Sequence, residues 1–155
     1  MMLRIESQEK KLDELFAKVK LLDEDDENKS HLAKYLCVQV SGYLENVIKN
    51  LIEEYHEKSC KPATARYINS RFKTFTNVND DKLCDLLSTF DPDWLKKYKE
   101  KVSDKHITSL SSVISQRHNI AHGNASGSNI SFRTIESYYI DIKDIVKELK
   151  SIIKK

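Results

Sequence analysis

Residues 29–58, KSHLAKYLCVQVSGYLENVIKNLIEEYHEK, decide the fold. Leu32, Leu36, Val40, Tyr43, Val47, Leu51 and Tyr55 recur every three or four residues and share one side of a helix, with Leu44, Ile48 and Ile52 beside them. An apolar face this wide belongs to a central helix that other helices cover. Upstream, residues 3–22 predict a first helix, with Leu12, Leu15, Val19 and Leu22 in register. The acidic run at 23–27 between them can suggest a metal site. It lies directly before a helix start, where the macrodipole favours carboxylates, and it reads as a solvated start. Downstream, shorter helices are expected over 63–75, 80–90 and 92–101, the last opened by Pro92 at a first-turn position. A long helix follows over 104–121 with Ile107, Leu110, Ile114 and Ala121 in phase, and Gly123 stops it. Residues 124–129 read as a flexible loop. The last helix spans 132–153, where Ile135, Tyr138, Ile142, Ile145, Leu149 and Ile152 step as a heptad seam. The expected fold is one all-α domain over 1–155, a bundle with two long central helices, a shorter-helix insertion and a long C-terminal helix.

Composition agrees. Three glycines and two prolines in 155 residues fall far below the usual share of roughly 12%. That shortage excludes sandwiches and barrels, and it excludes Rossmann and P-loop folds, which need glycine where backbone meets phosphate. Twenty-six basic residues against 24 acidic ones leave a net charge of +2, so no global basic field coats nucleic acid. Any such contact rests on a local patch. The longest apolar run, Tyr35 to Val38, is four residues, far short of a membrane span. No secretory leader is visible, and three cysteines without a C-x-x-C spacing read as reduced thiols. A cytoplasmic protein without membrane contact is expected.

The densest polar cluster is Gln116-Arg117-His118-Asn119-Ile120-Ala121-His122-Gly123. Arg117 stands three residues after Ile114 and ten after Ile107, so it projects close to the apolar stripe. Burying a guanidinium there is costly without a partner or a ligand. Arg117 and His122 are five residues apart and converge only if the helix ends at His122, which Gly123 favours. A fixed cation beside an imidazole suits phosphoryl chemistry, because one neutralises developing charge and the other moves a proton. Capping explains the same residues: arginine and histidine satisfy the last carbonyls and complement the negative end of a helix. Spacing alone leaves both readings open.

The Arg117-x4-His122 pattern, with a polar residue after the arginine and Gly123 behind the histidine, resembles the Rx4-6H motif of HEPN-domain ribonucleases. The string Val40-Ser41-Gly42-Tyr43-Leu44-Glu45 and the stretch from Ala65-Arg66-Tyr67-Ile68 to Phe90-Asp91 resemble the RiboL-PSP-HEPN subgroup. The likeness covers roughly residues 30–150. It implies a helical bundle that dimerises with both motifs facing one cleft. It also implies cleavage of RNA without metal or other cofactor, by 2′-hydroxyl attack on the adjacent phosphate. Arg117 and His122 then stand at the catalytic positions, with His118, Asn119 and Glu45 in support. Members commonly act as toxins or in antiviral defence, so an antitoxin or other regulatory partner protein joins RNA among the expected partners. Other members have lost activity and only bind or dimerise, which is the alternative reading for this chain.

Arg66, Arg71 and Lys73 alternate with Tyr67, Phe72 and Phe75, as an RNA-stacking surface does. A helix with an apolar face and snorkelling cations reads the same way. His31, His56 and His106 have no ligand spacing with cysteine or acids, so no metal is expected. Trp94, Tyr138 and Tyr139 read as core or dimer contacts. The homodimer interface is expected either on the heptad seam of the last helix or around Trp94.

Overall fold

The computed structural model describes residues 2–123 and 130–154. Seven helices run through it: α1 Met2–Lys20, α2 Glu27–Glu57, α3 Pro62–Arg71, α4 Asp80–Phe90, α5 Pro92–Lys101, α6 Asp104–Ala121 and α7 Phe132–Ile152. No strand occurs among the described residues. The loop expected at 124–129 lies outside them.

The wide apolar face of α2 is covered on several sides. Leu36, Val40, Tyr43, Val47 and Ile48 are fully buried, and α2 packs against α1, α3, α6 and α7. Each such side chain contributes roughly 1.5–3 kcal/mol of burial. The acidic run does start this helix. Asp26 caps it by accepting the amide of Asn28 at 2.9 Å. Glu24 pairs with the buried Lys29 at 3.0 Å, and the Lys29 ammonium also donates to the Leu22 carbonyl.

Helix α1 is clamped on the bundle through aromatic and polar contacts. The Phe16 ring stacks on Tyr139 at 4.4 Å. The hydroxyl of Tyr43 donates to Glu9 and that of Tyr139 to Asp13. Burial and these carboxylates push both phenols well above the ordinary tyrosine range.

The last helix corrects one expectation. Its heptad seam faces inward: Ile135, Ile142, Ile145 and Leu149 are fully buried in the chain's own core, with Ile152 nearly so. Trp94 is also internal, packed between Tyr55 and Phe90. Neither apolar set is left for a partner subunit, because periodicity marks a face as apolar without saying what covers it.

The helix expected over 63–75 is shorter. α3 ends at Arg71, and Phe72–Thr74 tightens into a 3₁₀ turn. Phe72 and Phe75 meet edge to face at 5.1 Å in the turn geometry. Aromatic and β-branched residues are poor helix formers, so the side-chain contact prevails there. No residue of α3 or of this turn is fully buried.

Candidate active site

Helix α6 carries the polar cluster and is held firmly at both ends. Ser103 and His106 close a capping box at its start. At its far end the amide of His122 reaches the carbonyl of His118 at 3.1 Å, the last α-helical bond. Gly123 then takes φ +67°, the left-handed conformation that glycine reaches without strain. The helix therefore stops at His122, as convergence of the motif requires.

Arg117 is half-buried, and its guanidinium donates to the side-chain oxygen of Asn77. Asn77 itself has φ +53°, the one non-glycine residue with positive φ among those described. Its amide N–H donates to Oε1 of Glu45 at 2.9 Å. Glu45 is 8% exposed and comes from the middle of α2. A buried carboxylate thus fixes a turn, and the turn fixes the arginine. Behind it the buried Cys37 thiol donates to the Val113 carbonyl at 3.5 Å. Burial pushes that thiol up to about 11, against the opposing pull of Arg117.

His118 and His122 stand one turn apart on the exposed side of the helix end. Their rings lie 4.3 Å apart at 54°. Arg117 thus has Asn77 as neighbour and His122 has His118, on the same two turns of helix. Asn119 is half-buried beside them. A shallow cleft of about 340 Å³ opens between Asn77, Asn79, Ser111, Ser115 and His118. The side-chain oxygen of Gln116 is buried without a partner among the described residues.

Asn77 was missed in the sequence. Its only signal is its residue type, since asparagine adopts positive φ more readily than most. Its two partners lie 32 and 40 residues away, beyond any local pattern.

Arg66, Arg71 and Lys73 are exposed on α3 and the following turn, apart from the Arg117 network. His106 departs from expectation: tertiary packing of α6 on α7 brings its ring within 4.8 Å of carboxylate oxygens of Asp141 and Asp144. The chemistry there is that of a cap. Nδ1 faces the Ser103 amide at 3.3 Å and must accept, so Nε2 carries the proton it gives to Asp144 at 3.2 Å. Asp141 is occupied by the Ser109 hydroxyl at 2.5 Å and the Lys105 ammonium at 3.4 Å. A metal would need the Nε2 lone pair that this tautomer lacks.

Fold and site together define an all-helical bundle with a buttressed arginine and two exposed histidines at one helix end. The chain belongs to the RiboL-PSP-HEPN family, whose model matches residues 3–155. It is therefore a HEPN module, of a family that includes ribonucleases and whose domains often bind RNA and dimerise. Comparisons with curated proteins and with solved structures find no match. No helix among the described residues is long and apolar enough to cross a membrane.

Proposed function

We propose that this protein is a metal-independent endoribonuclease acting as a homodimer, in the manner of toxins or antiviral effectors. The observation that carries the reading is the Glu45–Asn77–Arg117 relay, which holds a cation on the same two helix turns that carry the exposed His118 and His122. His122 takes the proton of a ribose 2′-hydroxyl, and that oxygen attacks the adjacent phosphorus. The bond to the 5′-oxygen breaks, and the leaving oxygen receives a proton from the second imidazole, His122 of the partner subunit. Arg117 neutralises the charge that develops on the phosphate, while His118 and Asn119 line the approach. The products are a 2′,3′-cyclic phosphate and a free 5′-hydroxyl. In this reading the dimer axis lies beside the exposed face of α6, where Ser111 and Ser115 are short enough for close approach.

The test is purified protein with mixed RNA in EDTA, wild type against His122→Ala. Cleavage with cyclic phosphate ends, lost by roughly 10²–10⁴ in the variant, supports the reading. RNA that is bound and left intact by wild type assigns the chain to the non-catalytic members.

A further inference from the structure

The structure assigns a second nucleic-acid subsite, a groove between α3 and α4 that takes an unpaired base of the RNA strand. The assignment rests on the ribonuclease reading for its ligand and on separate observations for its place. The groove encloses about 560 Å³, with Tyr67, Arg71, Phe72, Phe75, Lys82 and Phe90 among its walls. That volume is ordinary for a small-molecule or single-nucleotide site. Tyr67 is 64% exposed at its rim, and Phe72 and Phe75 meet edge to face inside. Aromatic walls accept any base, since every base has a π-face.

Charge supports a polyanion. From Lys61 to Asn79 the chain carries four cations (Lys61, Arg66, Arg71 and Lys73) and no acid. All four are exposed, and none forms an ion pair among the described residues. Of these Arg71 lines the groove, and Lys82 of α4 lines it as a second cation. The one acid lining the groove is Asp85.

Continuity with the Arg117 network points to the strand rather than to an unrelated ligand. Phe75 lines the groove, and Asn77, two residues on, holds Arg117. Two residues span at most about 7 Å of chain. The intervening backbone is pinned, because the Lys82 ammonium donates to the Thr76 carbonyl at 2.8 Å and Asn79 caps α4. One segment thus borders both the aromatic groove and the cleft at α6. A strand with a phosphate at Arg117 can seat a neighbouring base between Tyr67 and Phe75.

Fluorescence anisotropy of a labelled 12-nucleotide single-stranded RNA on the His122→Ala protein tests this. Tyr67→Ala and Arg71→Ala in that background should each weaken binding about 10-fold. Both side chains are exposed, and unchanged thermal melts verify the fold. Lys147→Ala, a cation lost from α7, should leave binding unchanged, and the same RNA in duplex form should show no dependence on Tyr67. Superimposable titrations for both variants, or an equal loss with Lys147→Ala, overturn the subsite. A groove that takes a protein segment instead also gives superimposable RNA titrations. Cleavage by the wild-type chain is read separately. Tyr67-dependent binding without cleavage leaves the groove standing and removes the ribonuclease reading. Cleavage with unaltered binding in both variants removes the groove alone.

Discussion

Asn77→Gly is the sharpest probe of the arginine relay. Asparagine here does two separable things: its backbone occupies φ +53° and donates to Glu45, and its side chain accepts from Arg117. Glycine keeps the first without conformational penalty and removes only the second. A hydrogen bond to a charged group contributes about 1.5–3 kcal/mol, and Arg117 is only half-buried, so the lower half of that range is expected. For a chain of this size the loss corresponds to a fall in Tm of roughly 3–9 °C. Arg117→Met keeps an apolar stem and removes the charge. A urea-unfolding cycle of Asn77→Gly, Arg117→Met and the double variant isolates the pair, and the coupling should be about 1–2 kcal/mol. Cleavage should fall with Asn77→Gly through a lower kcat, because a released guanidinium samples positions away from the phosphate. Coupling within about 0.3 kcal/mol of zero, with cleavage unchanged, refutes the relay.

Gly123→Ala forces an L-residue into the left-handed region at φ +67°; urea unfolding should show a loss of about 1 kcal/mol, with Gly123→Asn milder. Alkaline titration should destabilise the fold: the folded chain keeps the Cys37 proton up to about 11 while the unfolded chain releases it near 9.0. Stability is therefore full below pH 9 and declines toward pH 11, by at most about 1.4 kcal/mol per unit for this thiol; a flat urea midpoint from pH 8 to 11 contradicts this, and Cys37→Ala should lessen the slope without abolishing it, because burial and Asp80 push the Cys84 thiol up to about 11 as well. A mixed dimer of wild-type chain with Arg117→Ala/His122→Ala chain should cleave about 10²–10⁴ more slowly; full activity per wild-type chain, or an active monomer by light scattering, removes the shared cleft.

How much of this was legible in the sequence depends on the range of each interaction. The limits of α4, α5 and α6 follow from local signals and match the structure, since Asn79, Asp91 and Ser103 each cap the helix they precede. The stop at His122 was readable from Gly123 alone. Tertiary facts were not readable. The α7 seam looked like an interface because nothing in its heptads says that α2 and α6 already cover it. The ring of His106 meets Asp144 across 38 residues, so ligand spacing along the chain could not detect it. Glu45 and Arg117 were each legible as candidates, one on α2 and one on α6, but the residue that joins them was not.

That intermediary matters chemically. Were Glu45 paired directly with Arg117, the ion pair would neutralise the cation and satisfy its donors, leaving little to offer a phosphate. Interposing an amide changes the balance. Glu45 spends its hydrogen-bonding on a backbone N–H, and Arg117 receives a neutral acceptor that fixes its direction and leaves its charge whole. A guanidinium has five donors, and the neutral amide oxygen occupies a fraction of them. The remaining donors and the undiminished charge are what an anion at this helix end would meet. A binding module needs no more than the charge. A catalyst also needs it fixed in direction, and the positive-φ turn at Asn77 supplies that.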